Sequence, residues 1–109
     1  MAHGGRILLL AGIALVTGCG PVGRAFSQDD VVRGQQLFTR HGCNGCHTVG
    51  VMGTPIGPDL SDIGQRHSRA YLERWLRDPA AQEPRAHMPR LDLPDEDVGP
   101  LASYLASLR

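Results

Sequence analysis

The chain has 109 residues, 41% of them hydrophobic, and its eleven cations balance eleven carboxylates at neutral pH. Every cation is Arg, and no basic run follows the chain as contact with a phosphate backbone would require, so nucleic acid is excluded as a partner. This length allows one domain, of a size commonly completed by a disulfide, a metal or a large cofactor.

Arg6 precedes the apolar run from Ile7 to Val16, and the small and polar residues Thr17, Gly18 and Cys19 follow it. The run is about half of the roughly 20 residues needed to span a bilayer, which predicts a cleavable export signal. Val16-Thr17-Gly18-Cys19 resembles the lipobox of bacterial lipoproteins, in which the Cys becomes the lipidated first residue. Two other fates are open: cleavage after Ala25-Phe26-Ser27 with release of a soluble protein, and retention of an uncleaved signal anchor in the uncharged stretch between Arg6 and Arg24. All three carry the rest of the chain out of the cytoplasm, to the periplasmic side of the cell membrane. The organisation expected is an export signal over 1–19, a tether over 20–28 rich in Gly and Pro, and one folded domain over 29–109.

The domain opens with a helix of about eleven residues, capped by Ser27 with Asp29 and Asp30, periodic in Val31, Gly34, Leu37, Phe38 and His41, and stopped by Gly42. Next comes Cys43-Asn44-Gly45-Cys46-His47. The spacing sets two thiols one turn apart, able to add across the two vinyl groups of a haem, with a His adjacent to bind its iron. A thioredoxin-type reading needs a βαβ setting that this segment lacks, and zinc would need two further spaced ligands. With Cys19 accounted for by lipidation, no second Cys pair exists.

Gly50 to Pro58 reads as a loop, leading through Asp59-Leu60 to a short turn near Gly64. Ser68 caps a second helix with Tyr71, Leu72, Trp75 and Leu76 on its apolar face, ended by Asp78-Pro79. Pro79 to Pro94 reads as irregular. A last helix carries Val98, Leu101, Ala102, Leu105 and Leu108 on one side. Pro100 is expected to divide it into a short turn from Pro94 and a main helix from about Gly99, and the acidic group Asp95, Glu96, Asp97 to complement its dipole without needing a partner. No strand pattern or internal repeat is visible.

From about Val31 to Leu108 these residues resemble a class I, mitochondrial-type monohaem cytochrome c. The Tyr-Leu-x-x-Trp-Leu-x-Asp-Pro run and Met88-Pro89 are particularly similar to cytochrome c domains attached to terminal-oxidase subunits. The resemblance implies an all-α fold, three main helices and loops wrapped around one haem c held covalently through Cys43 and Cys46. It also implies a crossing of the first and last helices through Gly34, Phe38 and Tyr104. In Gly57-Pro58-Asp59-Leu60, the Pro58 carbonyl accepts from the proximal His47 and Leu60 touches the ring. Arg66 falls at the position of a propionate contact, Trp75 is a further candidate for one through its N–H, and Met88 supplies the distal sulfur. His87 is the rival ligand. Met52 is too near His47 to cross to the other face, and His41 and His67 read as surface or hydrogen-bonding residues.

With His47 and Met88 on the iron no position is open to substrate, which implies outer-sphere one-electron transfer and no enzymatic activity of its own. The donor expected is a quinol-oxidising complex or dehydrogenase, and the acceptor a terminal oxidase. The alternative is a haem-bearing part of a larger membrane oxidoreductase complex. A gas sensor or peroxidase would need Met88 off the iron and a distal acid or base that the sequence does not show.

Overall fold

The computed structural model describes Met1, residues 12–15, Gly18 and residues 27–109. Cys19, Ala25-Phe26 and most of the tether lie outside the described residues.

Helix α1, Gln28–Arg40, starts where the Ser27 hydroxyl accepts from the Asp30 N–H at 3.2 Å, with Asp29 and Asp30 in the first turn. It stops because Gly42 takes φ +73°, a left-handed conformation costly for any residue with a Cβ. A single 3-10 turn, Cys43–Gly45, leads to an antiparallel pair of β1, Thr48–Val49, and β2, Met52–Gly53. Two residues per strand are too few for alternation to show in a sequence, so this hairpin was not expected. The short α2, Ile63–Arg66, precedes α3, Arg69–Arg77, whose start is capped by Ser68 accepting from Tyr71 N–H at 3.2 Å.

Asp78 ends α3 and at once caps the one-turn α4, Pro79–Gln82, accepting from the Ala81 N–H at 3.3 Å. The segment read as irregular therefore begins helically: Pro79 occupies the first helical position, where a missing N–H costs nothing. The last helix also differs from expectation. Helix α5 runs unbroken over Asp95–Ser107 with Pro100 inside it. Pro100 lies near the start, so the carbonyl it leaves without an N–H belongs to Glu96, an exposed residue that water can serve. The remainder of α5 is held by burial, with Leu101 and Ala102 at 0% exposure.

Helix α5 packs against α1, α2 and α3, and the core is built from its Val98, Leu101, Ala102, Tyr104, Leu105 and Ala106 with Leu37, Phe38, Ile63, Leu72 and Leu76. The α1–α5 crossing is close. A Cβ on Gly34 would overlap Pro100 O and lie 2.6 Å from the Tyr104 Cβ. Phe38 and Tyr104 meet edge to face there, centroids 5.6 Å apart at 67°, a contact that adds about 0.5–1.5 kcal/mol beyond burial. Burial also pushes the Tyr104 phenol above its ordinary pKa.

The acidic start of α5 does have partners. Asp97, 8% exposed, accepts from His41 Nε2 at 2.9 Å and from Arg33 Nη2 at 3.4 Å, while Asp95 pairs with Arg77. A carboxylate buried this far requires compensation, and residues on α1 and at its C-cap supply it. The described residues are mostly helical with little strand, consistent with the small all-α architecture that the resemblance implies.

Candidate haem site

The Cys43–His47 segment is positioned by the end of α1. His47 N–H donates to Cys43 O at 2.9 Å, closing one turn that carries both thiols, and neither Cys is in a disulfide. Their settings differ. Cys46 is exposed, whereas Cys43 is half-buried against the core, and burial pushes its thiol pKa up. A backbone hydrogen bond partly opposes that rise, and the neighbouring Cys46 adds to it.

The His47 ring is held by the segment that returns past it. Nδ1 lies 2.7 Å from Pro58 O, and because a carbonyl only accepts, Nδ1 carries the proton. The lone pair is thereby assigned to Nε2, free to bind a metal. Gly57 makes the approach possible: a Cβ there would lie 2.8 Å from His47 Cε1 and 3.1 Å from Nδ1. Leu60 packs against the core, and its N–H donates to Thr48 O at 2.9 Å. Asp59 Oδ1 accepts from the Ser61 hydroxyl at 2.7 Å and the Thr48 hydroxyl at 3.0 Å, which hold its carboxyl below the usual range.

Met88 is half-buried in the chain between α4 and α5, and Trp75 reaches it from α3, its indole N–H donating to Met88 Sδ at 3.2 Å. The sequence offers this N–H to a propionate; the structure directs it to the sulfur. Arg66 is half-exposed, and its Nη2 donates to Asp62 Oδ1 at 3.0 Å and to Asp59 O at 3.4 Å. Of the remaining histidines, His87 is exposed, His41 is paired with Asp97, and His67 stacks on Tyr71 with centroids 4.3 Å apart. Sequence reasoning included Gly57 within a motif without its reason, contact with His47, and did not anticipate the Ser61 and Thr48 hydroxyls around Asp59.

Two clusters are thus assembled: Cys43, Cys46, His47, Gly57 and Pro58 around the motif, and Trp75 with Met88. Among the described residues no group of three or more His, Cys, Asp or Glu side chains could hold a metal ion alone. The donor set instead fits a haem: two free thiols on one turn, an imidazole of fixed tautomer, and a thioether.

The family model for cytochrome c matches residues 31–109. The chain belongs to the cytochrome c family. The domain therefore serves electron transfer and takes covalently bound haem c. Over 86 residues, 71% of the chain, it is 37% identical to cytochrome c oxidase subunit 2 of Alkalihalophilus pseudofirmus, covering 25% of that protein. It is 29% identical over 86 residues to a subunit of nitric oxide reductase from Halomonas halodenitrificans, covering 71% of this chain and 57% of the other. It is 31% identical over 84 residues to the corresponding nitric oxide reductase subunit of Paracoccus denitrificans, covering 69% and 56%. The chain thus spans a quarter to little more than half the length of these relatives, which are subunits of oxidoreductase complexes. No helix among its described residues is long and apolar enough to cross a membrane.

Proposed function

We propose that the chain is a monohaem electron carrier in which Cys43 and Cys46 hold one haem c and His47 and Met88 are the axial ligands. The observation that carries this reading is the His47–Pro58 hydrogen bond of 2.7 Å, which commits Nδ1 as a donor and leaves Nε2 for iron. When bound, the haem supplies one-electron redox chemistry. Pro58 O orients the imidazole and Gly57 leaves it room. Met88, a soft neutral thioether, favours the ferrous state and raises the potential relative to a second imidazole. Trp75 acts through Met88 rather than as a propionate donor. Leu60 would pack on the bound haem, and Arg66 would have to leave Asp62 and Asp59 O to serve a propionate.

The same proposal takes residues 29–109 as the haem domain, 20–28 as a tether and 1–19 as an export signal ending at Cys19. Lipidation there would hold the domain at the periplasmic face of the cell membrane. A quinol-oxidising complex or dehydrogenase is the donor and a terminal oxidase the acceptor. The alternative, a permanent haem-bearing part of a membrane oxidoreductase, is also consistent with the names of the relatives, which are those of complex subunits. Copurification in mild detergent separates the two, since a carrier dissociates and a permanent component stays.

Intact mass of the protein matured with haem tests the cofactor assignment. One covalent haem, lost from the Cys43→Ala, Cys46→Ala variant, is expected; none, or two, contradicts it. The same spectrum reads the mature amino terminus and any acyl groups.

A further inference from the structure

The acceptor that holds His47 is a backbone carbonyl, so its aim is set by the rigid peptide plane that carries it. That plane runs from Pro58 to Asp59. On the Pro58 side the pyrrolidine ring fixes φ, and there is no N–H to anchor the residue by a bond of its own. The other corner of the plane is Asp59, and its side chain is tied down.

Three donors converge on one oxygen of Asp59. Oδ1 accepts from the Ser61 hydroxyl at 2.7 Å, from the Thr48 hydroxyl at 3.0 Å and from the Ser61 N–H at 3.2 Å. Ser61 and Thr48 are braced in turn: the Ser61 hydroxyl accepts from Gly50 N–H at 2.7 Å, and Thr48 O accepts from Leu60 N–H at 2.9 Å. His47 and Pro58, Thr48 and Asp59, and Gly50 and Ser61 are pairs of hydrogen-bonded residues each eleven positions apart. Segments 47–50 and 58–61 therefore run side by side in step. Each bond between them resists a slip that would carry Pro58 O off the imidazole.

We propose that Asp59 is a positioning residue for His47: its Oδ1 clasps Thr48 and Ser61, holds the Pro58–Asp59 peptide plane, and so fixes the strength of the hydrogen bond at His47 Nδ1. The inference rests on the carrier reading above and deepens it, because that bond sets how basic the imidazole is toward iron. A firmly held carbonyl makes His47 the stronger ligand, which favours ferric iron and lowers the reduction potential; a loosened one raises it. Asp59 is exposed, so water screens the direct effect of its charge, and the clasp is the larger of its two influences.

Two variants of the haem-matured protein separate the clasp from the charge. Thr48→Val with Ser61→Ala keeps the carboxylate and removes both hydroxyls. Asp59→Asn removes the charge and keeps Oδ1 as acceptor for all three donors. The readouts are hydrogen exchange of the His47 Nδ1 proton, followed by NMR of the ferrous form, and voltammetry. In the double variant that proton should exchange about threefold to tenfold faster, as weakening of a hydrogen bond does. The ferric–ferrous equilibrium should move about threefold toward ferrous, a rise of about 30 mV at about 59 mV per factor of ten. Asp59→Asn should keep the wild-type exchange rate and shift the potential less. Thr48→Val alone, which leaves the backbone bonds and the Ser61 hydroxyl in place, should already exchange faster, and an unchanged rate there would overturn the proposal even where the double variant does not fold. Wild-type exchange and potential in a folded double variant would overturn it too, as would a potential that moves in Asp59→Asn but not in the double variant, since that is an effect of charge alone. Absence of covalent haem from the wild type, seen separately by mass, would overturn the carrier reading instead.

Discussion

The indole N–H of Trp75 donates to Sδ of Met88 at 3.2 Å, joining α3 to the chain that precedes α5. The bond fixes where the thioether sits and draws electron density from the sulfur. Both effects bear on the ligand proposed for iron, since a sulfur that donates less stabilises the more charged ferric state less.

Trp75→Phe should therefore lower the reduction potential. A hydrogen bond contributes about 0.5–1.5 kcal/mol, and for one electron a factor of ten in equilibrium is about 59 mV, so the drop should be on the order of 20–60 mV. Voltammetry of the two holoproteins measures it. An unchanged or raised potential would show that the bond has no influence on the iron.

Gly57→Ala places a methyl group 2.8 Å from His47 Cε1. The imidazole should be pushed off Pro58 O, giving a mixture of low-spin and high-spin iron that binds carbon monoxide. A wild-type spectrum from a protein that still carries covalent haem would contradict the packing described.

Gly34→Ala presses on a backbone carbonyl and on Tyr104 at the α1–α5 crossing. Overpacking of this kind costs about 1–3 kcal/mol, and the melting temperature of the holoprotein should drop accordingly. Covalent haem content should stay the same. Wild-type melting would mean the crossing yields without strain.

Asp59 is held below the ordinary carboxylate pKa first by the Ser61 hydroxyl and then by that of Thr48. Its contribution to stability is fully present above the unfolded value of about 3.9 and is lost as pH falls through the lower folded value. Asp59→Asn should flatten that part of the decline in melting temperature on acidification. Parallel acid profiles would show that Asp59 contributes nothing to acid stability.

Much of the frame was legible because its signals are local. Ser27 and Ser68 begin helices and Gly42 stops one, the apolar stripes of α1 and α3 mark the buried faces, and the Cys-x-x-Cys-His spacing carries its chemistry within five residues. The continuity of α5 through Pro100 was not legible, since tertiary burial outweighs a local penalty the sequence states plainly. Nor was the pairing of Asp97 with Arg33 and His41, which are 64 and 56 residues away along the chain. The acceptor of the Trp75 N–H depends on the path of a segment without periodicity, and sequence resemblance alone offered a propionate.

Ligation of iron by His47 and Met88 is best checked by the optical spectrum of the haem-matured protein in ferric and ferrous forms, with and without carbon monoxide, beside the Met88→Ala variant. The spectrum expected is low-spin with the weak red methionine-sulfur charge-transfer band, unresponsive to carbon monoxide and losing that band in Met88→Ala. A high-spin or carbon-monoxide-binding wild type, or a band that survives the substitution, would contradict His47/Met88 ligation and with it the closed, outer-sphere carrier.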